Sequence, residues 1–255
     1  MSRIWVIATN TFREAVRDRI LNSILFFAVL LLGLSLALRE LSIGDTDKVV
    51  RGVALGGVSM LAAIVALFLG VSLVYKEIER RTIYTLAAKP IARWQLLLGK
   101  YLGIWLTLAA EVALLFAFYV IIVSPQQGLP GVPVLVSALM LMVELSLLSA
   151  WAMLFSTFAS PVTATAYSLC IYVIGHFADD LHLFGERAEP GPFKTTALAL
   201  YRVLPNLESF NLRTEAVHGV AVPVSELCWS AAYGFGYTAA VLAVAMLVFT
   251  KRDFK

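Results

Sequence analysis

The sequence predicts an all-α integral membrane protein of six transmembrane helices, with an amphipathic helix at its N-terminus and a charged helical hairpin between the second and third spans. Three observations predict this. Of 255 residues, 60% are hydrophobic and only 15% charged, and the mean hydropathy is +0.84, far outside the balance of soluble domains. The charges bound six apolar stretches, each close to the roughly 20 residues that a helix needs to cross a bilayer. Lys and Arg divide unevenly between alternate connections, thirteen on one side and seven on the other. By the positive-inside bias the richer side faces the cytoplasm, which places both termini there and the chain in the cell (inner) membrane.

The elements follow in order. Residues 1–19 carry Arg3, Arg13, Arg17 and Arg19 and lack a small-residue cleavage site, so they read as part of the mature chain rather than a signal peptide. Within them Trp5, Ala8, Phe12, Ala15 and Val16 recur at three-four spacing while Arg3, Asn10, Arg13 and Arg17 fall mostly elsewhere. That is the pattern of an amphipathic helix lying in the headgroup plane. The first span covers residues 20–38 and the second 52–75. The third covers 101–124 and ends before Pro125, Gly128, Pro130, Gly131 and Pro133, a cluster read as a turn that no helix would hold in its interior. The fourth covers 134–159. Ser160-Pro161 marks a tight reversal into the fifth, 161–178, because proline suits a helix's first turn and disfavours helix before it. A loop over 179–226, read as short helices on the outer membrane face, precedes the sixth span, 227–249.

Between spans two and three lies KEIERRTIYTLAAKPIARWQLLLGK, residues 76–100, with Lys76, Arg80, Arg81, Lys89, Arg93 and Lys100, six of the chain's 20 basic residues. Residues 76–88 read as a helical continuation of span two, Lys89-Pro90 as a break, and a new helix begins near Ile91. Glu77, Glu79, Arg80 and Arg81 stand beside Ile83, Tyr84 and Leu86, and such a mixture of charge and apolar surface suits a protein interface on the cytoplasmic side.

This hairpin resembles the membrane subunits of ABC transporters of the second exporter superfamily, including the permeases associated with nitrous-oxide-reductase maturation. The matching residues are Glu77, Glu79, Arg81, Thr82, Leu86, Lys89, Pro90, Arg93, Gly99 and Lys100. The stretch NTFREAVRDRIL (residues 10–21) is similar to the family's N-terminal elbow helix, with Glu14 and Arg17, and FTKRDF (249–254) also agrees. The segment 204–219, LPNLESFNLRTEAVHG, looks alike too, at low specificity. Ala92 departs from the pattern, because a Ser commonly stands there and would cap the second helix.

The resemblance implies a single permease domain over residues 1–255, working as a homodimer with two copies of a separate ABC ATPase. The ATPase would drive export, or other transmembrane conformational work, through a coupling elbow at residues 77–93. The interface residues would be Glu77, Glu79, Arg80, Arg81, Thr82, Leu86, Lys89, Pro90 and Arg93. ATP and Mg would belong to the ATPase, with no cofactor in this chain. The residues agree on that division: a phosphate-binding G-x-x-x-x-G-K-[ST] loop would need glycine where Trp94 stands and Ser or Thr where Tyr101 stands. Membrane lipid and an outer-face protein are further expected partners. Nucleic acid is not, since the net charge of +3 is small and spread over loop ends.

Intramembrane carboxylates are rare and usually face a bundle interior or a water-filled path, which singles out Glu111 and Glu144 as a polar path or as fasteners between helices. Gly52, Gly56, Gly57, Ser59, Gly234 and Gly236 read as sites of close helix contact. His176, Asp179, Asp180 and His182 are the one cluster with metal-ligand chemistry, and Cys170 and Cys228 read as buried free thiols. Two rival classes therefore stand beside the permease: a gradient-driven secondary transporter, which would show an inverted repeat that the halves lack, and a membrane-embedded metal-dependent hydrolase using the His-Asp cluster.

Overall fold

The computed structural model describes residues 3–41, 45–79, 92–189 and 191–251. Among these, every element is helical. They are α1 (Arg3–Val16), α2 (Arg19–Leu41), α3 (Thr46–Glu79), α4 (Arg93–Gln127), α5 (Val132–Ser156), α6 (Pro161–His176), α7 (Ala178–Arg187), α8 (Pro192–Val203), a 3-10 turn (Glu208–Phe210), α9 (Arg213–His218) and α10 (Val224–Lys251). Four of the described helices, α3, α4, α5 and α10, are long and apolar enough to cross a membrane. The number rises to six if each bent pair counts as one span: α1 with α2, bent by 57°, and α6 with α7, bent by 62°.

α5 is the centre of the bundle. It is apolar around its whole circumference, so it gains from burial on every side, and it packs on α3, α4, α6 and α10. Leu145, Leu147 and Leu148 on it are fully buried. Large apolar side chains such as Phe26, Phe27, Ile121 and Leu247 point outward instead, as they should where lipid replaces water as the solvent. The helices alternate in direction and define two ends. At the hairpin end lie α1, the close of α3, the start of α4 and the close of α10. At the loop end lie the start of α3 and the long connection from α6 to α10.

Two expectations are corrected here. Pro125 lies inside α4, which continues to Gln127 and closes with Gly128 N–H donating to Ser124 O at 2.8 Å. A proline removes one donor and crowds the turn before it, so within two residues of the terminus it has almost no helix beyond to displace. Cys170 and Cys228 are exposed rather than buried. Helices as uniformly apolar as α6 and α10 do not betray which face meets lipid, so thiol burial was not readable from them.

Candidate functional site: the hairpin end and an inserted loop

At the hairpin end Glu77 and Glu79 fall in the last turn of α3, and Arg93 opens α4. Arg80, Arg81, Thr82, Leu86, Lys89 and Pro90 lie outside the described residues, and with them the predicted break and most of the elbow. What stands around the hairpin is tightly joined. Ala92 supplies no side-chain cap, but Gln95 Oε1 accepts its backbone N–H at 3.4 Å, half of a capping box. Arg93 Nη1 donates to Thr250 O at 3.1 Å, tying α4 to the end of α10. Lys100, 5% exposed, donates from Nζ to Leu73 O on α3 at 3.0 Å, so a residue counted among the hairpin's cytoplasmic charges is an internal tether. Tyr101 Oη donates to Ser146 O on α5 at 3.0 Å.

α1 docks along α4 over two glycines one turn apart. A Cβ at Gly99 would stand 2.8 Å from Ile7 Cβ and 3.0 Å from Ile4 O; one at Gly103 would stand 2.5 Å from Thr11 Cβ and 2.7 Å from Ala8 O. Two helix backbones meet there, a small-x-x-x-small contact that only glycine permits. Ala8, Thr11 and Ala15 are buried by it, Glu14 is half-buried, and Arg17 is exposed just past the helix end. Neither glycine was singled out for packing from the sequence; the spacing of four was the available signal.

At the loop end, residues 204–219 do not rest on the surface. They enter the bundle. Leu207, Phe210 and Ala216 are buried, and Leu207 and Phe210 join Met140, Val143 and Leu147 of α5 in a second apolar cluster. Val143 lies about 16 Å of helix rise in from the start of α5, so the loop reaches to mid-bundle. Its seat is cut by glycines: Gly175 of α6 leaves room for Leu207 and Pro205 O, Gly234 of α10 for the Phe210 ring, and Gly56 of α3 for the Arg213 guanidinium. Leu207 N–H donates to Gly175 O at 2.9 Å.

Beneath this loop sits Glu144, 4% exposed. Its Oε1 is 3.5 Å from His176 Nε2, and it lies within electrostatic range of Arg213 and Glu208. Glu144 and Arg213 line a common cavity of about 30 Å³ with Ser59, Ser137 and Asn211. The loop's polar groups pair with one another: Asn211 Nδ2 donates to both Glu208 oxygens, at 3.0 and 3.1 Å, and Arg213 Nε donates to Asn211 Oδ1 at 3.3 Å. The family model for the ABC-2 family transporter protein matches residues 5–254. The chain belongs to the ABC-2 transporter family. It is therefore a multi-pass membrane component of an ABC transporter, from a family whose members usually work with ATPase subunits and are generally not catalytic themselves. No curated protein matches this ABC-2 chain.

The ABC-2 chain does not bring its two candidate carboxylates together. Glu111, 3% exposed on α4, has no hydrogen-bond partner for either oxygen among the described residues, whereas Glu144 is engaged by the loop-end cluster. Nor do the four residues of the His-Asp cluster converge. His176 faces Glu144, Asp179 Oδ1 accepts from Asn206 Nδ2 at 2.7 Å, and His182 packs on Tyr201 and lies 3.6 Å from Glu186. No group of three or more potential ligands that could hold a metal exists among the described residues, and the hydrolase reading loses its geometric premise. Of the glycines chosen for close contact, Gly57 seats Leu31 of α2, while Gly236 has no atom within 4 Å and seats nothing.

Proposed function

We propose that two copies of this chain pair in the inner membrane with two ABC ATPase subunits, which bind ATP and Mg and press on the elbow at residues 77–93. Both termini and the elbow face the cytoplasm in this reading, and the inserted loop at the opposite end gates the exit of exported substrate. The observation that carries it is the convergence of ties at the hairpin end. Within about three turns of the elbow, α4 is fastened to α3 by Lys100, to α10 by Arg93 and to α1 by Gly99 and Gly103. A push delivered there would reach four helices as one body, which is what mechanical coupling requires. The narrower likeness to the permeases of nitrous-oxide-reductase maturation belongs to the same proposal and rests chiefly on the hairpin motif, with residues 10–21, 204–219 and 249–254 agreeing at lower specificity.

The test is co-purification from native membranes. A tagged chain brings down an ATPase in equal amount, and Glu79→Arg or Arg81→Glu releases it while the chain keeps its thermal unfolding profile. A well-folded chain that carries no ATPase, or one whose ATPase is indifferent to both substitutions, overturns the coupling assignment.

A further inference from the structure

The hydrogen bonding around His176 fixes a proton count. Nδ1 lies 3.0 Å from Tyr172 O, and a carbonyl oxygen only accepts, so Nδ1 carries hydrogen. Nε2 then faces the Glu144 carboxyl at 3.5 Å. A bare carboxylate would set its lone pairs against that of the imidazole, so the geometry offers a place for one proton between the residues, on nitrogen or on oxygen, and with it the pair is neutral overall.

The other titratable or charged groups facing Glu144 among the described residues are Tyr172 of α6 and Glu208 and Arg213 of the inserted loop. α3 and α4 bring only Ser59 and Phe116 with aliphatic neighbours to the cavity. Through Asn211, Glu208 and Arg213 form one linked unit, and Arg213 is its cation. The cavity between Glu144 and Arg213 has room for roughly one or two waters, enough to carry a water-mediated contact between carboxyl and guanidinium.

We propose that Glu144 and His176 form a proton-binding pair that controls the seating of residues 204–219, with uptake of a second proton expelling the loop from the bundle. This deepens the reading of the loop as a gate and rests on it. With one proton the pair is neutral and the loop sits on its glycine-lined seat. With two, a net positive charge stands under Arg213 in a low-dielectric interior, where like charges repel far more strongly than in water. The bond from Leu207 N–H to Gly175 O, one residue from His176, is the first to open.

Hydrogen–deuterium exchange of the full chain in lipid nanodiscs, without ATPase or substrate, tests this. Exchange of residues 207–212, corrected for the chemical rate, should accelerate about tenfold or more between about pH 7.5 and about pH 5.5. Glu144→Gln and His176→Gln should each abolish the acceleration, and Arg213→Gln, which removes the repelled charge, serves if either fails to fold. Another acid-sensitive contact at this end works the opposite way. Asp45 is held below the usual carboxylate range by its hydrogen bond to Lys48, with a smaller effect from His218 of the loop. Asp45 therefore keeps its charge across this pH range, and its attraction for His218 holds the loop rather than expelling it. His218→Gln should therefore leave the acceleration intact. Unchanged protection of the wild type at acid pH overturns the proton pair, as does a full response in His176→Gln. The gate reading fails separately, if a cross-link fixing the loop in its seat leaves ATP-driven transport unaffected.

Discussion

The hairpin end and the loop end are both closed by glycine-lined contacts, yet they are built to different rules. At the hairpin end a whole helix, α1, lies backbone to backbone along α4, and the polar ties there end on carbonyl oxygens of neighbouring helices. At the loop end an irregular segment with one 3-10 turn and one short helix is inserted, and its polar groups bond chiefly to one another. The Leu207 bond, the Asn206 N–H donating to Tyr233 Oη of α10 at 3.1 Å, the Asn206–Asp179 bond to α7 and the packing of Leu207, Phe210 and Ala216 hold it to the helices. Regular packed helices transmit displacement, whereas an inserted loop whose side chains largely satisfy one another can leave its seat at the cost of few bonds to the helices. The first end is suited to receive force and the second to yield to it.

The largest effect that would sharpen this contrast is expected at Gly103. A Cβ there meets Thr11 and the Ala8 carbonyl, both part of a helix that cannot shift locally, so Gly103→Val should destabilise by about 3 kcal/mol and release α1. Thermal unfolding in detergent together with protease sensitivity of residues 3–16 reads it, against Gly236→Val, which has open space and should unfold like the parent. Equal stability of the two variants would break the picture of a rigid hairpin end.

At the loop end the matching substitution is Gly234→Val, which crowds Val143 and the Phe210 ring. Because Phe210 belongs to a segment that can move, the expected loss is smaller, about 1–2 kcal/mol, and local. Amide exchange should rise over residues 207–212 and stay unchanged over 96–108. Global destabilisation equal to that of Gly103→Val would mean that the loop is as integral to the bundle as α1.

How much of this contrast could be read in advance depends on what each segment displays. The apolar stretches announced the spans, and α3 begins at Thr46, ahead of the predicted 52, because charged residues near a helix end cost little. Ser160-Pro161 was legible as well: Ser160 Oγ accepts Thr163 N–H at 3.4 Å and Pro161 opens α6. The inserted loop was not, because Asn206, Glu208, Asn211 and Arg213 interrupt Leu207 and Phe210 and give the segment the look of a solvated surface. Its charges become tolerable inside the bundle only through their mutual hydrogen bonds, and those depend on a three-dimensional fold of sixteen residues that no periodicity reports. Lys100 misled for a related reason, since a lysine beside the hairpin counts as a surface charge until Leu73 O is seen to accept it. The separation of Glu111 from Glu144 was equally hidden, because two carboxylates at mid-span depth on neighbouring helices do not reveal which faces they occupy.

The smallest effect concerns the link between the ends. Tyr101, on the hairpin half of α4, donates to Ser146 O, two residues beyond Glu144 on α5. Ser146 O also accepts from Ser149 Oγ at 3.0 Å, so Tyr101→Phe leaves the carbonyl satisfied and removes one donor without opening a cavity. The loss should be about 0.5–1 kcal/mol, within the range of an ordinary net hydrogen bond. If α4 carries displacement from the elbow to α5 through this bond, the same variant should couple poorly: ATPase turnover continues while the acceleration of loop exchange by ATP falls. A drop in stability with coupling intact would instead place the transmission in the packing of α3 on α5, where Gly70 brings the backbone of one against Ala152 and Ser149 O of the other.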